Sequence, residues 1–236
     1  MGKSYFEFRH FTVRQQRCAM KVGTDGTLLG AWAAMPSGGV SLLDIGTGTG
    51  LIALMMAQRF PACSVTALDI APDAVGQAAE NVGASPFADR ITVMEADVAF
   101  YKASRPFDAI VSNPPYFEHS LECPDSQRTT ARHTSALSYQ ALIGAAHRLL
   151  ADDGLFSLII PDDCRERLMG EACLQGFFPA RICGVRTTPS KPPKRYLIEL
   201  RKRPVEQVDM SEEVLEVLPG RRSSWYHGLT SDFYIR

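Results

Sequence analysis

Asp44-Ile45-Gly46-Thr47-Gly48-Thr49-Gly50 closes the short apolar run Val40 to Ile45 and leads into Leu51 to Arg59, a stretch of helical character. Strand, glycine turn and helix in that order make half of a βαβ unit. Glycines at 46, 48 and 50 let the backbone turn sharply and come close to a ligand. The spacing is G-x-G-x-G, not the G-x-G-x-x-G of dinucleotide binders, which weakens a pyrophosphate reading. Asp44 points the same way, because its charge repels phosphate and attracts an ammonium group.

Downstream, strands and helices alternate. The pattern predicts strands at Ser64 to Leu68, Ile91 to Glu95 and Phe107 to Ser112, with a helix over Pro72 to Ala84 after the first of them. Tyr139 to Leu150 reads as helix, Gly154 to Ile160 as strand and Asp163 to Leu174 as helix. Two more strands, Ala180 to Arg186 and Arg195 to Leu200, follow that helix. Such alternation implies a mostly parallel, doubly wound α/β sheet covered by helices on both faces, and the last two strands suit an antiparallel edge. Upstream, Tyr5 to Val13 alternates large apolar and polar residues like a hairpin arm, and Asp25 reads as the N-cap of a helix over Thr27 to Ala34. Past Pro204, Ser211 to Leu218 reads as a helix. The whole of 1–236 is expected to be a single domain, with 1–35 an N-terminal extension contributing to the glycine-loop site and 205–236 a C-terminal tail.

The totals agree with one globular domain: 236 residues, 45% hydrophobic, 22% charged and a net charge of -1. That balance excludes a nucleic-acid binder working by bulk positive charge, though not local basic patches. No apolar run approaches the roughly 20 residues that span a bilayer, so no membrane association is expected. Six cysteines without a CxxC pair exclude zinc spacing and suit a reduced, cytoplasmic protein; no metal is expected. A monomer is the favoured state.

Ligands of such sheets bind beyond the carboxyl ends of the strands. Asp69, about 20 residues past the glycine loop, stands where a ribose hydroxyl is accepted, with Ile70 beside it. Asp97, with Val98 beside it and Glu95 as a rival, can accept from an exocyclic adenine amine. Ammonium, ribose and adenine without phosphate describe S-adenosylmethionine.

The fourth strand runs into Asn113-Pro114-Pro115-Tyr116. Asn113 Oδ1 and the Pro114 carbonyl can accept the two N–H bonds of a planar amino group, Pro115 stiffens the turn, and the Tyr116 ring can stack a base. Held so, an amine delocalised into its ring turns its lone pair towards the methyl donor. The motif leaves the acceptor open: adenine, guanine or a protein glutamine amide.

With both motifs in place, the chain resembles the amino-group methyltransferases of Rossmann-like fold. More closely, it resembles the bacterial tRNA adenine N6-methyltransferases that modify the adenine next to the anticodon of a valine tRNA. The likeness runs from about Phe6 to Tyr234 and includes Phe11-Thr12-Val13-Arg14-Gln15, Ala131-Arg132-His133-Thr134 and Asp232-Phe233-Tyr234. Its most discriminating segment is Met20 to Trp32; the tail segment Arg221 to Tyr226 departs from the pattern. The resemblance implies a class I methyltransferase fold with a seven-stranded sheet and an antiparallel edge strand. It also implies S-adenosylmethionine as donor, tRNA as partner and N6-methyladenine as product at nucleotide 37. Lys21 to Thr27 are implied to fold over the donor, with Lys21 and Thr24 as contacts. Arg128, Arg132 and His133, then Lys191, Lys194 and Arg195, are candidate phosphate contacts, and Arg201-Lys202-Arg203 a third basic group. Protein-glutamine N5-methylation and methylation of ribosomal RNA or DNA bases are the alternatives; the missing helical N-terminal domain and the basic loops favour tRNA.

Overall fold

The computed structural model describes residues 4–18, 20–114 and 137–235. After an antiparallel hairpin of β1 (Tyr5–Glu7) and β2 (Thr12–Arg14), the chain forms α1 (Thr24–Trp32), β3 (Ser41–Ile45), α2 (Leu51–Arg59), β4 (Ser64–Asp69) and α3 (Pro72–Gly83). Then come β5 (Ile91–Glu95), β6 (Phe107–Ser112), α4 (Tyr139–Leu149), β7 (Leu150–Pro161), α5 (Asp162–Leu174), β8 (Phe178–Arg186) and β9 (Pro193–Arg201). The tail carries β10 (Asp209–Val214), β11 (Glu216–Leu218), β12 (Arg221–Arg222) and α6 (Ser224–Thr230).

One sheet holds eight of these strands in the order β10-β8-β9-β7-β6-β3-β4-β5. From β7 to β5 all neighbours are parallel; β9 runs antiparallel to both β7 and β8. The expected class is therefore the one observed, with an eighth strand added. Because β10 pairs in parallel with β8, the antiparallel strand lies inside the sheet and not at its edge. The expected helix over Ser211 to Leu218 is this strand and the next: the open N–H and C=O groups of β8 draw the chain into a ladder, which Leu215 N–H extends to Arg186 O at 2.9 Å.

Alternation along the strands divides the core into two layers. Leu42, Ala109, Val111 and Ile159 face α1, α2 and the tail, whereas Leu43, Ile110, Leu158 and Ile160 face α4 and α5. Helix α2 is buried from Leu51 to Ala57 because α1 covers the side that the sheet does not. Gly30 permits that crossing, since a Cβ there would stand 2.7 Å from Met55 Sδ. Helix α3 turns Ala74, Gln77, Ala78, Asn81 and Val82 inward at helical spacing, and two of those five are polar. Phe233 is buried, and an isolated bridge between Phe8 and Tyr234 ties the C-terminal segment to the N-terminal hairpin.

Helix α1 begins at Thr24, earlier than expected, with Gly23 as an N-cap that offers no side-chain bond. Asp25 does not cap it, because its Oδ1 accepts from Arg195 Nη1 on β9 at 2.5 Å.

Candidate active site

Registers place the ends of the central strands at one level: Ile45 stands opposite Leu68 and Ser112, and Asp69 opposite Glu95. Strand order reverses between β3 and β6, so Gly46 and Asn113 leave the sheet on either side of the crevice. Ser112 Oγ–H donates to Ile45 O at 2.9 Å and locks the two strand ends together.

The loop after β3 is held by its own backbone. Gly46 and Thr47 N–H both donate to Leu68 O at 2.9 Å, and Gly48 N–H donates to Asp69 Oδ2 at 2.9 Å. Gly46 and Gly48 have φ of 72° and 56°, and a Cβ on either would project into open space. That space is what a ligand pressed against the loop would fill. Gly50, at φ 80°, is the N-cap of α2 and packs against Ala78; it lines neither of the cavities described below, so its part is in the turn.

A cavity of ≈ 530 Å³ runs along the ends of β4 and β5, lined by Asp69, Ile70, Asp97 and Val98 with Gly46, Gly48 and Asn113. A second, of ≈ 400 Å³, lies between the loop and Met20 to Gly26, with Asn113 and Arg195 in its wall. Met20, Gly46, Gly48 and Asn113 line both, so Asn113 stands where the two meet. Asp69 Oδ1 accepts from Ala71 N–H and Asp97 Oδ1 from Ala99 N–H, at 3.0 and 2.9 Å, which fixes both carboxylates and leaves each with acceptor capacity. Glu95 is exposed and lines neither cavity, whereas Asp97 lines the first.

Asp44 departs from expectation. It is fully buried beneath the loop and does not line the cleft; Thr47 Oγ1–H donates to its Oδ2 at 2.7 Å. Burial pushes its carboxyl up to about 7, against the pull of the Thr47 bond and the nearby Ala53 N–H, while Asp69 pushes it further up. Asp44 Oδ1 has no hydrogen-bond partner among the described residues. Asp44 therefore shapes the loop from below.

The N-terminal extension closes over this end of the sheet. Asn81 Oδ1 accepts from Arg14 N–H, and Asn81 Nδ2 donates to Arg14 O and to Thr49 O, each at 2.8 Å. Gln77 Oε1 accepts from Gln16 and Arg17 N–H, and Gln15 Oε1 from Val22 N–H. Two buried amides of α3 thus carry the segment that brings Arg17, Cys18 and Met20 to the first cavity and Lys21 and Thr24 to the second. Arg17, Cys18 and Ser138 carry no periodicity or motif that marks them as cavity lining, and Met20 is marked only as the start of the segment Met20 to Trp32.

Pro114 is buried and lines neither cavity, so it is Asn113 that reaches the cleft. Pro115, Tyr116, Arg128, Arg132 and His133 lie outside the described residues. Lys191 and Lys194 are exposed on a groove beside Pro161, at the sheet end that carries the cleft. Arg195 is parted from them: it pairs with Asp25 and lines the second cavity. Arg201 to Arg203 sit at the opposite sheet end, where ion pairs with Glu199, Asp152 and Asp153 engage them. Their antiparallel strand carries them away from the cleft. Among the described residues no group of three or more His, Cys, Asp or Glu is placed to hold a metal, and no helix is long and apolar enough to cross a membrane.

Residues 27–178 match the model of the methyltransferase small domain family. A protein of Bacteroides fragilis named tRNA1(Val) (adenine(37)-N6)-methyltransferase is 48% identical over the full length of both chains. The chain belongs to this methyltransferase family. A relative of the same name from Tolumonas auensis is 40% identical over all of this chain and 99% of its own. Among solved structures, a predicted O-methyltransferase of Agrobacterium tumefaciens matches with a TM-score of 0.69 at 20% identity, covering 89% of this chain and 96% of that one. That likeness concerns the fold.

Proposed function

We propose that this methyltransferase transfers the methyl group of S-adenosylmethionine to N6 of adenine 37 in a valine tRNA, as its full-length relatives are named for doing. One observation carries the chemistry: Asn113 lines both cavities together with Gly46 and Gly48, at which an added Cβ would meet open space. The donor supplies an electrophilic methyl on a sulfonium. Asp69 is suited to accept from ribose hydroxyls, Asp97 from the adenine amine of the donor, and Ile70 and Val98 to flank its ring. Lys21 and Thr24 border the other arm of the cleft.

The exocyclic amine of the target adenine is a poor nucleophile because its lone pair is delocalised. Asn113 Oδ1 and the Pro114 carbonyl accept its two N–H bonds and favour a pyramidal nitrogen as the new bond forms. They act on the transition state more than on the ground state, so no prior proton removal is needed. The roles of Pro115 in stiffening this turn and of Tyr116 in stacking the base rest on the sequence. The target base leaves its stack to reach such a pocket. Lys191 and Lys194, exposed at the same sheet end, are placed to meet the phosphates of the RNA. Work on tRNA sets the protein in the cytoplasm.

Incubation with labelled donor and tRNA lacking the modification, followed by nucleoside mass spectrometry, tests this. The expected product is N6-methyladenine in valine tRNA. Label on protein with none in RNA would assign the pocket to a glutamine amide.

A further inference from the structure

The second cavity contains an ion pair that neither motif predicts. Arg195, on β9, and Asp25, in the first turn of α1, are 170 positions apart in the chain and meet at 2.5 Å. Both line the cavity with Asn113, Gly46 and Gly48. Their side chains are 17% and 31% exposed, so the pair is largely withdrawn from water without being sealed.

Asp25 takes one Nη1 hydrogen of the guanidinium; the other guanidinium N–H groups of Arg195 have no hydrogen-bond partner among the described residues. A guanidinium clamped on one side and free on the other is prepared to receive a planar anion in two-pronged fashion. Lys21 also lines this cavity, but it is exposed and makes no ion pair among the described residues, so nothing fixes its ammonium. Donor geometry determines which anion arrives. With its adenosine along Asp69 and Asp97 and its sulfonium at Asn113, the amino-acid arm of S-adenosylmethionine is directed into the second cavity, which among the described residues adjoins the first at Met20, Gly46, Gly48 and Asn113.

We infer that Arg195 binds the carboxylate of the methyl donor and that Asp25 is the positioning residue that orients its guanidinium. The inference rests on the donor reading of the cleft and adds to it the recognition of the amino-acid end. It also takes Arg195 out of the set of RNA contacts. A charge-assisted, two-pronged contact of this kind corresponds to roughly 10–100-fold in affinity.

Calorimetry with S-adenosylmethionine and with its decarboxylated form, which lacks only the carboxylate, tests the assignment. For the unaltered protein the full donor is expected to bind more tightly. Arg195→Met should lower affinity for it by roughly 10–100-fold and leave affinity for the decarboxylated form within about twofold. That second ligand also reports whether the variant is folded. Asp25→Ala should show the same selective loss to a smaller degree, and Arg195→Lys should restore part of it. Equal loss for both ligands, or loss for neither, overturns the assignment. A raised KM for tRNA with unchanged donor affinity overturns it too and returns Arg195 to the RNA path. If the unaltered protein bound neither ligand, the donor reading itself would fail, a distinct result.

Discussion

The Gly48 N–H donates to Asp69 Oδ2 across 2.9 Å, joining the loop after β3 to the carboxylate that ends β4. One side chain therefore adds to the backbone bonds that shape the loop and presents the acceptor expected for ribose hydroxyls. Asp69→Ala removes both, and donor affinity measured by calorimetry should fall by at least about tenfold, the worth of one charge-assisted bond. Unchanged affinity would refute the ribose assignment.

Gly48 and Gly50 share a left-handed backbone and differ in surroundings. Gly48 faces open cleft, whereas Gly50 faces Ala78, 3.4 Å from the Cβ an alanine would carry. Replacing either by alanine should cost about 1–2 kcal/mol of stability from the backbone alone, readable in denaturant melts. Only Gly48→Ala should also lose donor affinity, because only its methyl occupies the ligand's space. Equal affinity loss in both variants would put Gly50 back at the ligand.

Asn113→Ala should abolish methylation, by 10³-fold or more as order of magnitude for a lost transition-state contact, while donor binding survives. Single-turnover assays beside calorimetry separate the two. Turnover at the normal rate would remove Asn113 from the acceptor site.

Asn81 joins α3, the N-terminal extension and the glycine loop through three hydrogen bonds. Asn81→Ala leaves the Thr49 carbonyl and both Arg14 backbone groups short of a partner, at a cost of about 1–3 kcal/mol. Hydrogen exchange should rise at 14–22 before it rises in the central strands. Uniform acceleration across the sheet would mean the bridge is not local.

Asp44 makes stability depend on pH with a definite sign. Its carboxyl titrates near 7 in the folded protein, against 3.8 as the ordinary value, so the folded state holds the proton more tightly. The contribution is complete below about pH 4, declines as pH rises through the folded value and is absent well above 7. The slope is at most about 1.4 kcal/mol per pH unit. Asp44→Asn keeps an acceptor for Thr47 and carries no proton to lose, so its denaturant midpoint should fall less than the unaltered protein's between pH 5 and 7. Parallel curves would show that Asp44 is not the titrating group.

Local chemistry determined much of this protein. Alternating apolar runs made Ser41–Ile45 and Phe107–Ser112 strands, glycines at 46 and 48 made a loop open to a ligand, and Asn113-Pro114 placed an acceptor pair at the neighbouring strand end. These features need only neighbours in the chain, so the sequence displays them. Tertiary structure decided the rest. Asp44 sits in a conspicuous motif, yet burial under the loop denies it the cleft; Asp25 looks like a helix cap, yet Arg195, far along the chain, claims it. Ser211 to Val214 carries helix-forming residues, yet the open edge of β8 makes it a strand. For Asp25 and for Ser211 to Val214 a partner distant in sequence outweighs a local preference of a few tenths to about 1 kcal/mol, because one charge-assisted bond or one ladder is worth as much or more.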